Sequence, residues 1–132
     1  MKTKLFLLMA LAAGTLSAQN KLTVVVDGIE SVKGHLMVGL YDKEGFMKKP
    51  VRGGMVKVSA DTLTIVFENI PSGEYAISLY QDENDNRKLD MGLFGPKEKW
   101  GFSNNAKGKM GPPTYENCKF KVEEDTEINI TL

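Results

Sequence analysis

The chain has 132 residues, with 17 basic and 17 acidic side chains, one histidine and one cysteine. This length fits one domain with its own core, and a single cysteine excludes an internal disulfide. The balanced charge argues against nucleic-acid binding, which needs a strongly basic surface.

The first eighteen residues have the three parts of a secretory signal peptide. Lys2 and Lys4 give a positive start, residues 5–13 are apolar, and small side chains precede Gln19. The alternative is a membrane anchor, but the apolar run is shorter than the roughly 20 residues that span a bilayer. We therefore predict residues 1–18 as a signal peptide and residues 19–132 as a single exported domain, periplasmic or extracellular, with no membrane insertion after cleavage.

Short runs of alternating apolar and polar residues follow the signal, which is the pattern of half-buried strands. The predicted strands cover residues 22–26, 34–42, 55–58, 63–68, 75–80, 118–122 and 128–132. Pro71 and Gly73 indicate a turn, so we expect the strands on either side of it to form a hairpin. Because no apolar pattern at helical spacing occurs, the prediction is an all-β, antiparallel, immunoglobulin-like sandwich of about seven strands.

Two single residues could carry chemistry, but their patterns favour structural roles. His35 lies on the face opposite Leu36 and Val38, so we expect an exposed strand position; one histidine without cysteine partners does not make a zinc site. Cys118 alternates in register with Phe120, so we expect an inward, unreactive thiol.

The longest connection, residues 82–113, holds the only tryptophan and much of the asparagine, glycine and proline. A connection of this length in a compact domain is usually functional or disordered. Its aromatic residues, Phe94, Trp100 and Phe102, favour an ordered loop. Function is therefore expected here.

The start of this loop has the spacing of a weak calcium site. Its candidate ligands occupy alternate positions, and these are Asp82, Asn84, Asn86, Lys88 through its backbone carbonyl, and Asp90. Two features differ from an EF-hand: Arg87 replaces the turn glycine, and Leu93 stands where a bidentate glutamate is needed. The alternative is that these side chains only cap turns through bonds to the backbone.

The later part of the loop suggests a ligand surface made of Glu98, Trp100, Phe102 and Tyr115. Large aromatic rings in this setting could bind a sugar or a peptide. The alternative is that they pin the loop to the sheet, where each buries about 150–250 Å².

No catalytic constellation is evident, because the chain has no Gly-x-Ser-x-Gly elbow and only one histidine. The leading hypothesis is an exported, monomeric, non-enzymatic module that binds an unknown protein or glycan of the cell envelope. One alternative is a small periplasmic glycan hydrolase with Asp90 and Glu98 as its carboxyl pair. Another is a carrier with an apolar pocket between its two sheets.

Two stretches of the sequence resemble known families. The segment from Ile70 to Tyr75, with its hydrophobic-Pro-x-Gly-x-Tyr order, is similar to transthyretin-like and carboxypeptidase-regulatory-like sandwiches of exported bacterial proteins. Residues 95–105 and 111–116 resemble domain-of-unknown-function family 2141. This resemblance implies an exported β-sandwich and no established activity. Family members usually have glycine where this chain has Asp85 and Arg87.

Overall fold

The computed structural model describes residues 19–87, 91–92, 95–96 and 99–132, so the predicted signal peptide lies outside the described residues. The strands are β1 Gln19–Asp27, β2 His35–Tyr41, β3 Arg52–Lys57, β4 Leu63–Pro71, β5 Gly73–Asp82, β6 Met91–Gly92, β7 Gly95–Pro96, β8 Trp100–Phe102, β9 Phe120–Val122 and β10 Thr126–Thr131. A 3-10 turn covers Ser103–Asn105, and one α-helical turn covers Tyr115–Cys118. In the described part of the chain, no helix has the length and apolar character needed to cross a membrane.

The first sheet has the order β10-β1-β4. Its central strand β1 is rich in β-branched residues, which favour a pleated surface, and Leu22, Val24 and Val26 are fully buried on one face. β4 runs antiparallel to β1, whereas β10 runs parallel to it. The sequence pattern did not distinguish these directions, because alternation is the same in both.

The second sheet has the order β3-β2-β5-β8, and β9 also pairs with the first residues of β5. All of these pairings are antiparallel. Leu36, Val38 and Leu40 of β2 face the first sheet and are buried. The two sheets pack these apolar faces against each other, with a gain of about 25 cal/mol per Å² of apolar surface removed from water. The predicted all-β sandwich is therefore confirmed.

The predicted hairpin across residues 69–73 is wrong. β4 pairs with β1 and β5 pairs with β2, so the chain crosses from one sheet to the other at this point. Asn69 has a positive φ of 58°, and the Tyr75 hydroxyl donates a 2.6 Å hydrogen bond to the Pro71 carbonyl. This bond from a tyrosine to backbone four residues earlier fixes the corner, as in other sandwiches.

Two element boundaries also differ from the predictions. β3 begins at Arg52, three residues before the predicted start, because Gly53 and Gly54 pair with Gly39 and Val38. Cys118 ends the helical turn and does not belong to a strand, although its side chain is fully buried.

Candidate functional site

The acidic loop begins with a buried carboxylate that caps the backbone. Asp82 is 1% exposed, and its two oxygens accept hydrogen bonds from the backbone N–H groups of Asn86 (3.2 Å) and Arg87 (2.5 Å). The Asn84 side-chain oxygen also accepts from the Asn86 N–H, at 3.2 Å. This geometry is the turn-capping arrangement that was the alternative to a calcium site.

The same loop adopts a backbone conformation that glycine favours and other residues seldom occupy. Asp85 and Arg87 both have positive φ, 57° and 62°, a region that non-glycine residues seldom occupy. Asp85 is also tied to the sheet, because its Oδ1 lies 2.6 Å from Nδ1 of His35. Side-chain and backbone contacts therefore stabilise a turn whose positive φ angles are unfavourable for the two residues themselves.

The calcium prediction remains a prediction. Lys88 and Asp90, two of its five candidate ligands, lie outside the described residues. Among the described residues, no group of three or more histidine, cysteine, aspartate or glutamate side chains is arranged to hold a metal ion.

The three described aromatic residues of the predicted ligand surface differ in burial: two are buried and one is half-buried. Phe102 is 3% and Tyr115 8% exposed, so these rings do not form an exposed platform but pin the loop to the second sheet. Trp100 is half-buried and packs edge-on against Phe102, with 5.3 Å between ring centroids. Glu98 lies outside the described residues, as does the Asp90 and Glu98 pair of the hydrolase alternative.

The buried rings belong to an outer cluster that covers the solvent side of β5. Its buried members are Ala76, Phe102, Tyr115 and Cys118, and Phe46 packs against it. Burial raises the pKa of Cys118 to about 11, so the thiol is protonated and unreactive at neutral pH. Burial, and then the hydrogen bond that its hydroxyl donates to Glu74, raise the pKa of Tyr115 to about 12.

A single buried hydroxyl joins this cluster to the sheet. Ser103 is fully buried, and its Oγ accepts the N–H of Ile77 at 2.9 Å. The same hydroxyl donates to the Cys118 carbonyl at 2.5 Å. Ile77 lies between the segments of β5 that pair with β8 and with β9, so the serine side chain takes the place of a missing strand partner.

A concave groove lies beside this cluster, on the outer face of the second sheet. We call it the outer groove, and its volume is about 560 Å³. One wall is a row of paired residues running across all four strands: Met55, Met37, Tyr80 and Trp100. The opposite wall is formed by Tyr41, Met47 and Pro50.

The floor of the outer groove is made of small residues that lie next to one another. Gly53 pairs with Gly39, and Gly39 pairs with Ser78, so three adjacent strands have almost no side chain here. A Cβ on Gly39 would meet the Tyr41 ring at 2.7 Å, whereas one on Gly53 would meet nothing nearer than 3.9 Å. The ring thus covers one part of the floor, and the part next to β3 is open.

Sequence reasoning placed function in the long loop and missed most of this groove. The available signal was that Met37, Tyr41, Met55 and Tyr80 occupy the outward positions of their strands and are themselves apolar. In a one-sided strand these positions are polar, so large apolar residues there indicate a second covered or binding face.

The family comparison agrees with the sequence resemblance. No curated protein and no solved structure matches the chain, so the transthyretin-like likeness remains an interpretation of the sequence. The family model described as an uncharacterized protein conserved in bacteria matches residues 24–130, which include most of the first sheet, the whole second sheet and the outer groove. The chain therefore belongs to this bacterial family, domain-of-unknown-function family 2141.

Proposed function

We propose that this protein is an exported, non-enzymatic binding module whose ligand occupies the outer groove. The observation that carries the proposal is the row Met55, Met37, Tyr80 and Trp100 beside a floor of glycine and serine. On a sheet face that contacts only water, these outward positions are usually polar, so a row of large apolar and aromatic side chains indicates a contact surface. Export is supported by the charged, apolar and small-residue parts of residues 1–18.

The lining of the groove indicates an apolar ligand. Three methionines, Met37, Met47 and Met55, give flexible and polarizable walls that can adapt to several shapes. The ring of Trp100 at one end supplies a rigid contact surface. A volume of about 560 Å³ lies within the usual range of ligand sites, about 300–1,000 Å³. Since few polar groups are available for sugar hydroxyls, a protein of the cell envelope fits better than a glycan.

The same lining supports binding rather than catalysis. Among the described residues that form the outer groove, none has a carboxyl, imidazole, amine or thiol group. Ser78 contributes a hydroxyl to the floor, but no imidazole, carboxyl or amine group lines the groove to activate it. Ser103 and Cys118 are fully buried outside the groove. Ser103 is engaged in backbone hydrogen bonds, and the Cys118 thiol stays protonated.

The test uses 8-anilinonaphthalene-1-sulfonate, a fluorescent probe that brightens in apolar sites. Trp100 is the sole tryptophan, so energy transfer from it reports binding close to the groove. The variant is Met37→Gln with Met55→Gln, which keeps side-chain length and removes apolar character. The control is Met110→Gln, because Met110 is fully exposed and outside the groove lining.

We expect the wild type and Met110→Gln to bind the probe with equal affinity. The double variant should bind about tenfold more weakly, as loss of two partly buried methionine contacts costs about 1–2 kcal/mol. Thermal melts establish that all three proteins are folded. Equal transfer from Trp100 in the wild type and the double variant would exclude the outer groove as the site.

A further inference from the structure

The outer groove opens onto β3, the terminal strand of the second sheet. In an antiparallel pair, residues alternate between those that bond to the partner strand and those whose N–H and C=O point away. Val58 donates to the Gly34 carbonyl at 2.9 Å, and the same register makes Val56 and Gly54 the residues that bond to β2. Gly53, Met55 and Lys57 therefore direct their backbone groups toward the edge of the sheet at which no other described strand pairs.

These three outward positions coincide with the open side of the groove. Gly53 forms the uncovered part of the floor, and Met55 is 48% exposed at the end of the methionine and aromatic row. A strand added along β3 would therefore bond to the backbone and place alternate side chains over Gly53 and Met55. Edge pairing combined with side-chain pockets is a common way to recognise an extended peptide.

The charges at this edge indicate what kind of strand would fit. Residues 48–57 have four exposed basic side chains, Lys48, Lys49, Arg52 and Lys57, and no acidic one. Arg52 donates to the carbonyls of Glu68 and Asn69, which are neutral. Within the described residues, none of the four forms an ion pair with a carboxylate. The edge thus has basic side chains that no ion pair among the described residues engages, in a chain whose formal charge is balanced.

We propose that β3 binds an extended segment of a partner protein with an apolar centre and acidic residues at both ends. β3 itself is basic at its two ends, at Arg52 and Lys57, and has glycine and apolar residues between them. Acids at both ends of the partner therefore match β3 in either strand direction. The inference rests on the proposed function, since the groove receives the apolar side chains of the same segment.

A second copy of the chain fits this edge poorly. Antiparallel pairing of two β3 strands through their outward residues, centred on Met55, would place Lys57 of each copy opposite Gly53 and next to Arg52 of the other. The basic side chains of the two copies would then repel each other across the interface, and basic residues on edge strands are a known protection against self-association. The same charges favour an acidic strand, so the edge discriminates between a copy and a partner.

The probe is a capped peptide with the sequence Glu-Glu-Val-Phe-Val-Phe-Glu-Glu, and its matched control has lysine in place of every glutamate. Binding to the full chain is measured by calorimetry in low salt. The acidic peptide should bind about tenfold or more tightly than the basic one, as several exposed ion pairs at up to about 1 kcal/mol each become repulsions. The difference should shrink at about 0.5 M salt, where exposed charges are screened.

Backbone pairing is tested on both partners. One version of the peptide is N-methylated at the first and third of its four central residues, and another at the second and fourth. Because alternate amides face β3, only one of these two peptides should lose binding. On the protein, Met55→Pro removes an N–H that is not bonded to β2, so the sheet is retained. It should weaken binding about tenfold or more relative to Met55→Ala, which removes the side chain but keeps the N–H.

Two lysine variants test whether the affinity for the acidic peptide depends on the charge of β3. Lys57→Gln should weaken the acidic peptide several-fold, whereas Lys121→Gln, at an exposed position on β9, should leave its affinity unchanged. No binding of the acidic peptide at about 1 mM, or equal effects of the two N-methylated sets, overturns strand addition. If the fluorescent probe still distinguishes the methionine variants in that case, the outer groove is supported as a binding site and only strand addition at β3 is excluded. If the peptide binds but the probe does not distinguish the methionine variants, strand addition at β3 is supported and the outer groove is excluded as the probe site.

Discussion

Removal of the Ser103 hydroxyl should cause a large loss of stability at a residue that no sequence motif marks. Ser103→Ala takes away the acceptor for the Ile77 N–H and the donor to the Cys118 carbonyl, both in a fully buried setting. A buried backbone group left without its partner costs about 1–3 kcal/mol. The two groups together give an expected loss of about 2–6 kcal/mol, a large share of the roughly 5–15 kcal/mol of a typical domain.

Urea unfolding, followed by the fluorescence of Trp100, measures this loss. With a slope of about 1–3 kcal/mol per molar urea, a loss of 3 kcal/mol moves the midpoint down by about 1–3 M. The control is Thr131→Val, which removes an exposed hydroxyl that donates to Asp27, and should cost under about 1 kcal/mol. A Ser103→Ala midpoint as close to wild type as that of the control would refute the bridging role. Faster exchange of the Ile77 amide in Ser103→Ala is the second expected result.

Three further predictions concern the loop and the thiol. Arg87→Gly should raise the free energy of unfolding by about 0.5–1 kcal/mol, because glycine adopts the positive φ without strain; an unchanged or lower urea midpoint would contradict this. If the loop binds calcium with a dissociation constant of about 0.1–1 mM, then 10 mM calcium should add about 1.4–2.7 kcal/mol to the free energy of unfolding, relative to the protein with chelator. Magnesium serves as the control ion. An unchanged melting midpoint would show that the loop does not bind calcium. Burial raises the pKa of Cys118 from 9.0 to about 11, so its contribution to stability is present below pH 9 and is lost as the pH rises toward 11. Cys118→Ala should flatten the fall of the urea midpoint over this pH range, and the native thiol should react with iodoacetamide at pH 8.5 only as fast as the domain unfolds.

The inner faces of the sandwich could be predicted from the sequence because burial on one side gives a strict period of two. Leu36, Val38 and Leu40 show this pattern, and all three are buried as expected. The pattern does not contain the identity of the neighbouring strand. Whether the chain turns back beside β4 or crosses to the other sheet depends on the φ of Asn69 and on the bond from Tyr75, and alternation is the same in both cases.

The functional region was predicted only in part, for a different physical reason. Trp100 was singled out, and it lines the outer groove. Met37 and Met55 were not, because the groove is formed by register across strands that are distant in the chain. Ser103 gave no local signal at all. A lone serine in a polar loop looks like a turn residue, and its structural role arises only because neither β8 nor β9 pairs with Ile77 on that side of β5.

The parallel pairing of β1 with β10 has a consequence for how the chain reaches its native state. The strand nearest the amino end of the domain is the centre of its sheet, and one of its two neighbours is Thr126–Thr131. Contacts between residues so far apart in sequence form slowly. During synthesis, the first sheet stays incomplete until residues 126–131 leave the ribosome. Deletion of residues 126–131 should therefore prevent folding of the whole domain, because β1 would lose one of its two hydrogen-bonded neighbours.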